Sequence, residues 1–164
     1  MVQLSSRYAS ILWSFTSTVS QLVFVPNSVR LSVLRLFGAD IGTGVLMRHR
    51  VRVSHPHNLI VGADSWIGEG VQIDNPGVVH IEDNVVISQA AHLVNSDVVQ
   101  PLMIEHGAWI ALRSTVRGPA KVGRRAVIGA GANISRDVRS DDLVNARSVL
   151  RDRDLPTVAY TSED

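Results

Sequence analysis

The chain contains no cysteine, which removes disulfides, a thiol nucleophile and any Cys-based zinc site. It also lacks net charge of any size, since 16 Lys and Arg against 15 Asp and Glu leave +1. That gives no case for a broad nucleic-acid footprint, which needs an excess of cations over one face. Missing too is a run fit to span a membrane. Residues 8–29 carry no charge, and Ile11, Leu12, Trp13, Phe15, Leu22, Val23 and Phe24 make them apolar. Their Ser, Thr and Gln content and Pro26 argue against a spanning helix, and no clear small-x-small cleavage site marks a signal peptide. The absence of Cys fits a cytoplasmic protein. At 164 residues there is one principal domain.

What the chain does have is a six-residue beat. An aliphatic residue stands at Ile104, Ile110, Val116, Val122, Ile128 and Ile134, and earlier at Ile41, Met47, Val53, then Val61, Ile67, Ile73, then Ile81, Ile87, Leu93. Four places on comes a small or β-branched residue, among them Val45, Ser65, Ala91, Ala108, Ser114 and Ala126. Neither helical nor strand periodicity gives this spacing; a hexapeptide solenoid does. Each hexad supplies a short strand and a turn, and three hexads make a triangular coil. The large residue points inward and the small one sits near a corner. Gly42, Gly62, Gly68, Gly123 and Gly129 follow the aliphatic residue directly, at tight backbone positions. The pattern predicts a mainly β fold, a left-handed parallel β-helix of about five coils over residues 41–138. The beat breaks within His55–Asn58, Asn75–Gly77 and Asn95–Pro101, and breaks in a solenoid become surface loops that carry function.

Residues 1–40 read as an N-terminal helical cap and 139–164 as a C-terminal tail. Residues 29–37 read as a basic amphipathic helix with Val33, Leu34 and Phe37 on one face and Arg30 and Arg35 elsewhere. Its role is either to cap the open end of the solenoid or, with residues 8–37 together, to touch a membrane surface peripherally. The corresponding locations are the cytoplasm at large or the inner face of the membrane. Arg113, Arg117, Lys121, Arg124, Arg125 and Arg136 make the last coils locally basic, as a solvated face or as a phosphate site.

Three segments together resemble a known family: residues 34–42 (Leu-Arg-Leu-Phe-Gly-Ala-Asp-Ile-Gly), 58–69 (ending Ser65-Trp66-Ile67-Gly68-Glu69) and 85–91 (Val-Val-Ile-Ser-Gln-Ala-Ala). They resemble the colanic-acid-biosynthesis type among the hexapeptide acyltransferases, which include maltose and galactoside acetyltransferases. The resemblance implies a homotrimer that moves an acetyl group from acetyl-CoA to a saccharide hydroxyl, in a groove between neighbouring prisms. A loop histidine serves as general base in the family, since imidazole accepts a proton near neutral pH. Matched residue by residue, it assigns Trp109, Ala111, Gly129, Ala130, Ser135 and Arg136 to the coenzyme, and Asn75 and Asp97 to the acceptor side.

In the family the loop after the third coil carries Gly-Ser-His-Asp and runs on. Here it closes quickly, and Asp97 or Val98 stands where the histidine is expected. Leu112 replaces a small residue beside the coenzyme. His80 and His92, each just before an inward aliphatic residue and so facing outward, are the replacement candidates for the base. Three functions stay open on this reading: an acetyl-CoA-dependent O-acetyltransferase acting on a saccharide or polysaccharide precursor, a non-catalytic trimeric scaffold that has lost its base, and a zinc hydratase using His49, His55, His57 and His106. Zinc needs three convergent ligands, and the spacing supplies no evident third, so no metal is expected.

Overall fold

The computed structural model describes residues 25–146. The six-residue beat becomes three parallel sheets that wrap around one aliphatic column. The first sheet stacks Asp40–Ile41, Leu59–Val61, Val79–Ile81, Leu102–Ile104 and Ala120–Val122. The second stacks Leu46–Met47, Trp66–Ile67, Val86–Ile87, Trp109–Ile110, Val127–Ile128 and Leu143–Val144. The third stacks Arg52–Val53, Gln72–Asp74, His92–Val94, Thr115–Arg117 and Asn133–Ile134. The chain visits the sheets in rotation, and every pairing is parallel, as when Trp109 pairs with Val86 and Val127. The expected solenoid end at 138 falls short, because Leu143–Val144 still pairs with Val127–Ile128.

The inward residues are sealed from water: Ile67, Ile87, Leu93, Ile110, Val122 and Ile128 are fully buried. Each contributes roughly 1.5–3 kcal/mol by leaving water, but only when a coil lies above and below it. The small residues, such as Ala91, Ala108, Ser114 and Ala126, are buried at the corners.

Two of the three edges have constant turns of four residues, for example 62–65 and 82–85 on one and 68–71 and 88–91 on the other. In each such turn the third residue has positive φ, whether or not it is glycine: Arg50, Asp64, Asn84, Ala90, Arg113 and Arg125 all do. The first residue is tight for another reason. A Cβ on Gly68 would lie 2.8 Å from the backbone N of Gln89 in the next coil. The glycines after the aliphatic positions therefore answer to stacking between coils, not to φ.

The third edge collects every irregular connection: 54–58, 75–78, 95–101 and 118–119. Buried amides hold it together. Asn95 is fully buried and donates from Nδ2 to the carbonyls of Val78 (2.7 Å) and Gln100 (3.1 Å).

Helix α1 (Asn27–Leu36) covers the start of the stack. It begins two residues earlier than expected and ends at Leu36, after which the φ of 97° at Gly38 allows the amides of Gly38 and Ala39 to reach back to Arg35 and Leu34. Arg30, expected away from the apolar face, is buried instead. The first coil has no preceding coil to satisfy its polar edge, and α1 supplies the partners. Arg30 Nη1 donates to Met47 O (2.6 Å), Asn27 Nδ2 to Val45 O (2.9 Å), and Asn27 Oδ1 accepts from Met47 N (2.9 Å). Arg35 adds bonds to the carbonyls of Ile41 and Gly42. Buried backbone groups have to be paired, which explains a buried guanidinium here. No helix among the described residues is long and apolar enough to cross a membrane. The membrane contact expected for residues 8–37 falls mostly on residues outside the described ones.

Candidate active site

Outward side chains give each sheet its own chemistry. The second sheet presents an apolar row of Leu46, Trp66, Val86, Trp109, Val127 and Leu143, each in register with the next. Beside it, toward the edge shared with the third sheet, stand the small residues Gly68, Ser88, Ala111 and Gly129. Trp109 is half exposed, and its indole Nε1 donates to the Ser88 hydroxyl at 2.9 Å. That bond ties the ring to the small-residue strip at Ser88. Ala130 follows Gly129 in the exposed turn of the same edge. Leu112, 44 % exposed, occupies the matching turn position one coil earlier. The predicted coenzyme residues Trp109, Ala111, Gly129 and Ala130 are thus brought together on one edge. Ser135 and Arg136 are not: they lie beyond Ile134, on the far side of the third sheet and in the connection after it.

The third sheet is polar. Arg52, Gln72, His92, Thr115 and Asn133 form its outward row in register. His92 Nε2 lies 2.7 Å from Asp74 Oδ2, with both side chains partly exposed. Asp74 sits on the preceding coil, diagonal to His92 on the same face, and no motif in the sequence singles it out. Counting one coil back from His92 reaches Gln72, and two residues further on the same face is Asp74. Ser88 was missed as well, because a partner for an indole N–H leaves no spacing signal.

Other expected residues lie elsewhere. His80 is on the first sheet between Ile60 and Met103, away from the strip beside Trp109. Asn75, expected on the acceptor side, is fully buried. Its Oδ1 accepts from His55 N (3.0 Å) and its Nδ2 donates to His55 O (2.8 Å), so it pins the corner and has no face for a sugar. Asp97 stands in the short loop with its Oδ1 accepting from the amides of Val99 (2.8 Å) and Gln100 (3.0 Å). Those two bonds hold its pKa below the ordinary aspartate range, which makes it a weak base. His55 and His57 meet edge to face with centroids 5.7 Å apart, and among the described residues no group of three or more metal-ligating side chains forms. Two of the basic residues of the last coils are paired: Lys121 meets Glu105 at 2.6 Å and Arg125 meets Asp141 at 2.7 Å.

These sheets and their rotation define the class: a left-handed parallel β-helix, the fold of the hexapeptide-repeat acetyltransferases. A hexapeptide-repeat acetyltransferase from Vibrio cholerae superposes with a TM-score of 0.76 at 16 % identity, covering 85 % of this chain and 86 % of that one. A galactoside acetyltransferase in complex with coenzyme A gives 0.73 at 17 % identity over 100 % of this chain and 94 % of that one. At the level of sequence, the chain is 28 % identical over 136 residues to a protein of Escherichia coli K12 named as a colanic acid biosynthesis acetyltransferase, WcaF, spanning 76 % of this chain and 75 % of that protein. No family model matches the chain.

Proposed function

We propose that the protein is an acetyl-CoA-dependent O-acetyltransferase whose acceptor is a saccharide or polysaccharide precursor, working as a homotrimer in the cytoplasm. The observation that carries this reading is the strip Ser88, Ala111 and Gly129 beside a half-exposed Trp109 whose indole is bonded to Ser88. A narrow pantetheine arm needs a strip without bulky side chains, flanked by an apolar wall. Supporting it are the relative named for colanic acid biosynthesis and the neighbour bound to coenzyme A. Calorimetric titration with acetyl-CoA and with free CoA tests the reading. Micromolar binding is expected, about 8 kcal/mol, and Ala111→Leu, which lengthens a side chain already on the strip, should abolish it, with the melting temperature read alongside to show that the prism has folded.

A second reading is a trimeric scaffold without turnover. It is favoured by the loop at Asn95–Pro101, which contains no histidine and whose Asp97 carboxylate is engaged by its own amides. Failure to bind either coenzyme form would make that reading the better one.

A further inference from the structure

The pairing of His92 with Asp74 goes beyond a solvated face in three respects. The contact joins two different coils at 2.7 Å, so neither partner was placed by local chain geometry. For Nε2 to meet a carboxylate it carries the hydrogen, which in the neutral ring leaves the lone pair on Nδ1, a nitrogen with no hydrogen bond from the described residues. And the pair stands at the working edge. His92 directly follows the turn 88–91, whose Ser88 holds Trp109. The coenzyme strip and the imidazole thus flank the same edge of the prism. On either side of His92, in register, are Gln72 and Thr115, an amide and a hydroxyl suited to hydrogen-bonding a polyol. His80 has none of these: its register neighbours are Ile60 and Met103.

We infer that His92 is the general base for acetyl transfer and Asp74 its positioning residue, with Gln72 and Thr115 holding the hydroxyl acceptor. The inference rests on the acetyl-CoA reading given above. Nδ1 of His92 takes the proton of the acceptor hydroxyl as its oxygen bonds to the thioester carbonyl carbon. The carbon–sulfur bond then breaks, and the departing thiolate takes the proton from the imidazolium. The products are an acetyl ester and CoA thiol, and His92 returns neutral. Asp74 accepts the Nε2 hydrogen throughout, which keeps the basic nitrogen outward.

Thiol release from acetyl-CoA, with maltose as acceptor and with water alone as background, reads the step, and calorimetry with acetyl-CoA reads donor binding. His92→Ala should lower the rate about 100-fold or more without changing acetyl-CoA affinity or melting temperature, and added imidazole should restore part of it. Asp74→Asn should lower the rate at least about tenfold, as expected when an orienting partner is lost, with Asp74→Glu recovering most of it. Nitrogen-15 NMR of the wild type should show the His92 proton on Nε2. The inference is overturned if His92→Ala keeps its rate, if imidazole restores nothing, or if the proton resides on Nδ1. Wild-type protein that binds acetyl-CoA yet releases no thiol to maltose or water also overturns it, leaving the donor reading intact. Wild-type protein that does not bind acetyl-CoA sinks the donor reading itself, and the dyad with it.

Discussion

Asp97 shows how one side chain sets the shape of a loop. Its carboxylate accepts from the amides of Val99 and Gln100, and these bonds favour the charged form and lower its pKa. A lowered pKa means that the stabilisation is fully present above the ordinary aspartate value, about 3.9. It is lost as the pH falls through the lower folded value. Hydrogen exchange, corrected for intrinsic pH dependence, should therefore show the Val99 and Gln100 amides losing protection below about pH 4. In an Asp97→Asn variant that protection should already be reduced at neutral pH. Equal protection in the two proteins would show that the loop is held from elsewhere. At this scale the sequence was least legible. Asn75 and Asn95 read as exposed loop residues, since nothing in a loop's composition says that its amides will be buried beneath the next coil. Asp74 was invisible because its partner lies on another coil.

The element most open to misreading is α1. Its apolar positions gave the helix, but a helix wheel puts a guanidinium on the wet face, and Arg30 is buried. The wheel knows only the helix, whereas Arg30 serves the unpaired carbonyl of Met47 at 2.6 Å. Burial, with nearby Arg48 adding repulsion, lowers its pKa from the ordinary arginine value. Arg30→Met keeps the volume and removes the donors, so the carbonyl is buried without a partner. A loss of about 1–3 kcal/mol is expected in urea unfolding, with Arg35→Met, on a more exposed site, costing less. If Arg30→Met proved neutral, water rather than the guanidinium would be satisfying that edge. The strands, by contrast, were legible almost completely, because each hexad repeats one demand: a large side chain inward and a small one at the corner.

For the whole molecule, stability is a sum over neighbouring coils. Ile87 lies mid-stack with coils on both sides and is fully buried, so Ile87→Ala should cost about 2–5 kcal/mol, measured by equilibrium unfolding. Ile134 pairs on one side only, with Val116 in the coil before it. Ile134→Ala should open the last coils locally, and native-state hydrogen exchange should show protection lost near Ala132 but kept near Ile67. Uniform loss of protection in both variants would mean that the column unfolds as a single unit. The repeat announced this architecture. It did not announce which face does what, since outward residues alternate freely once the inward ones are fixed: the apolar row at Trp66 and Trp109 and the polar row at His92 emerge only after stacking.

The uneven treatment of the three edges has a practical side. Two edges keep four-residue turns throughout, while the third accommodates connections from Gly118–Pro119 to Asn95–Pro101. Variation in length is confined to one seam, and the seam is closed from within by Asn75 and Asn95, the buried first residues of two of its connections. New segments can be spliced there without disturbing the register of either working face, which makes this edge a grafting site and the rest of the prism its handle.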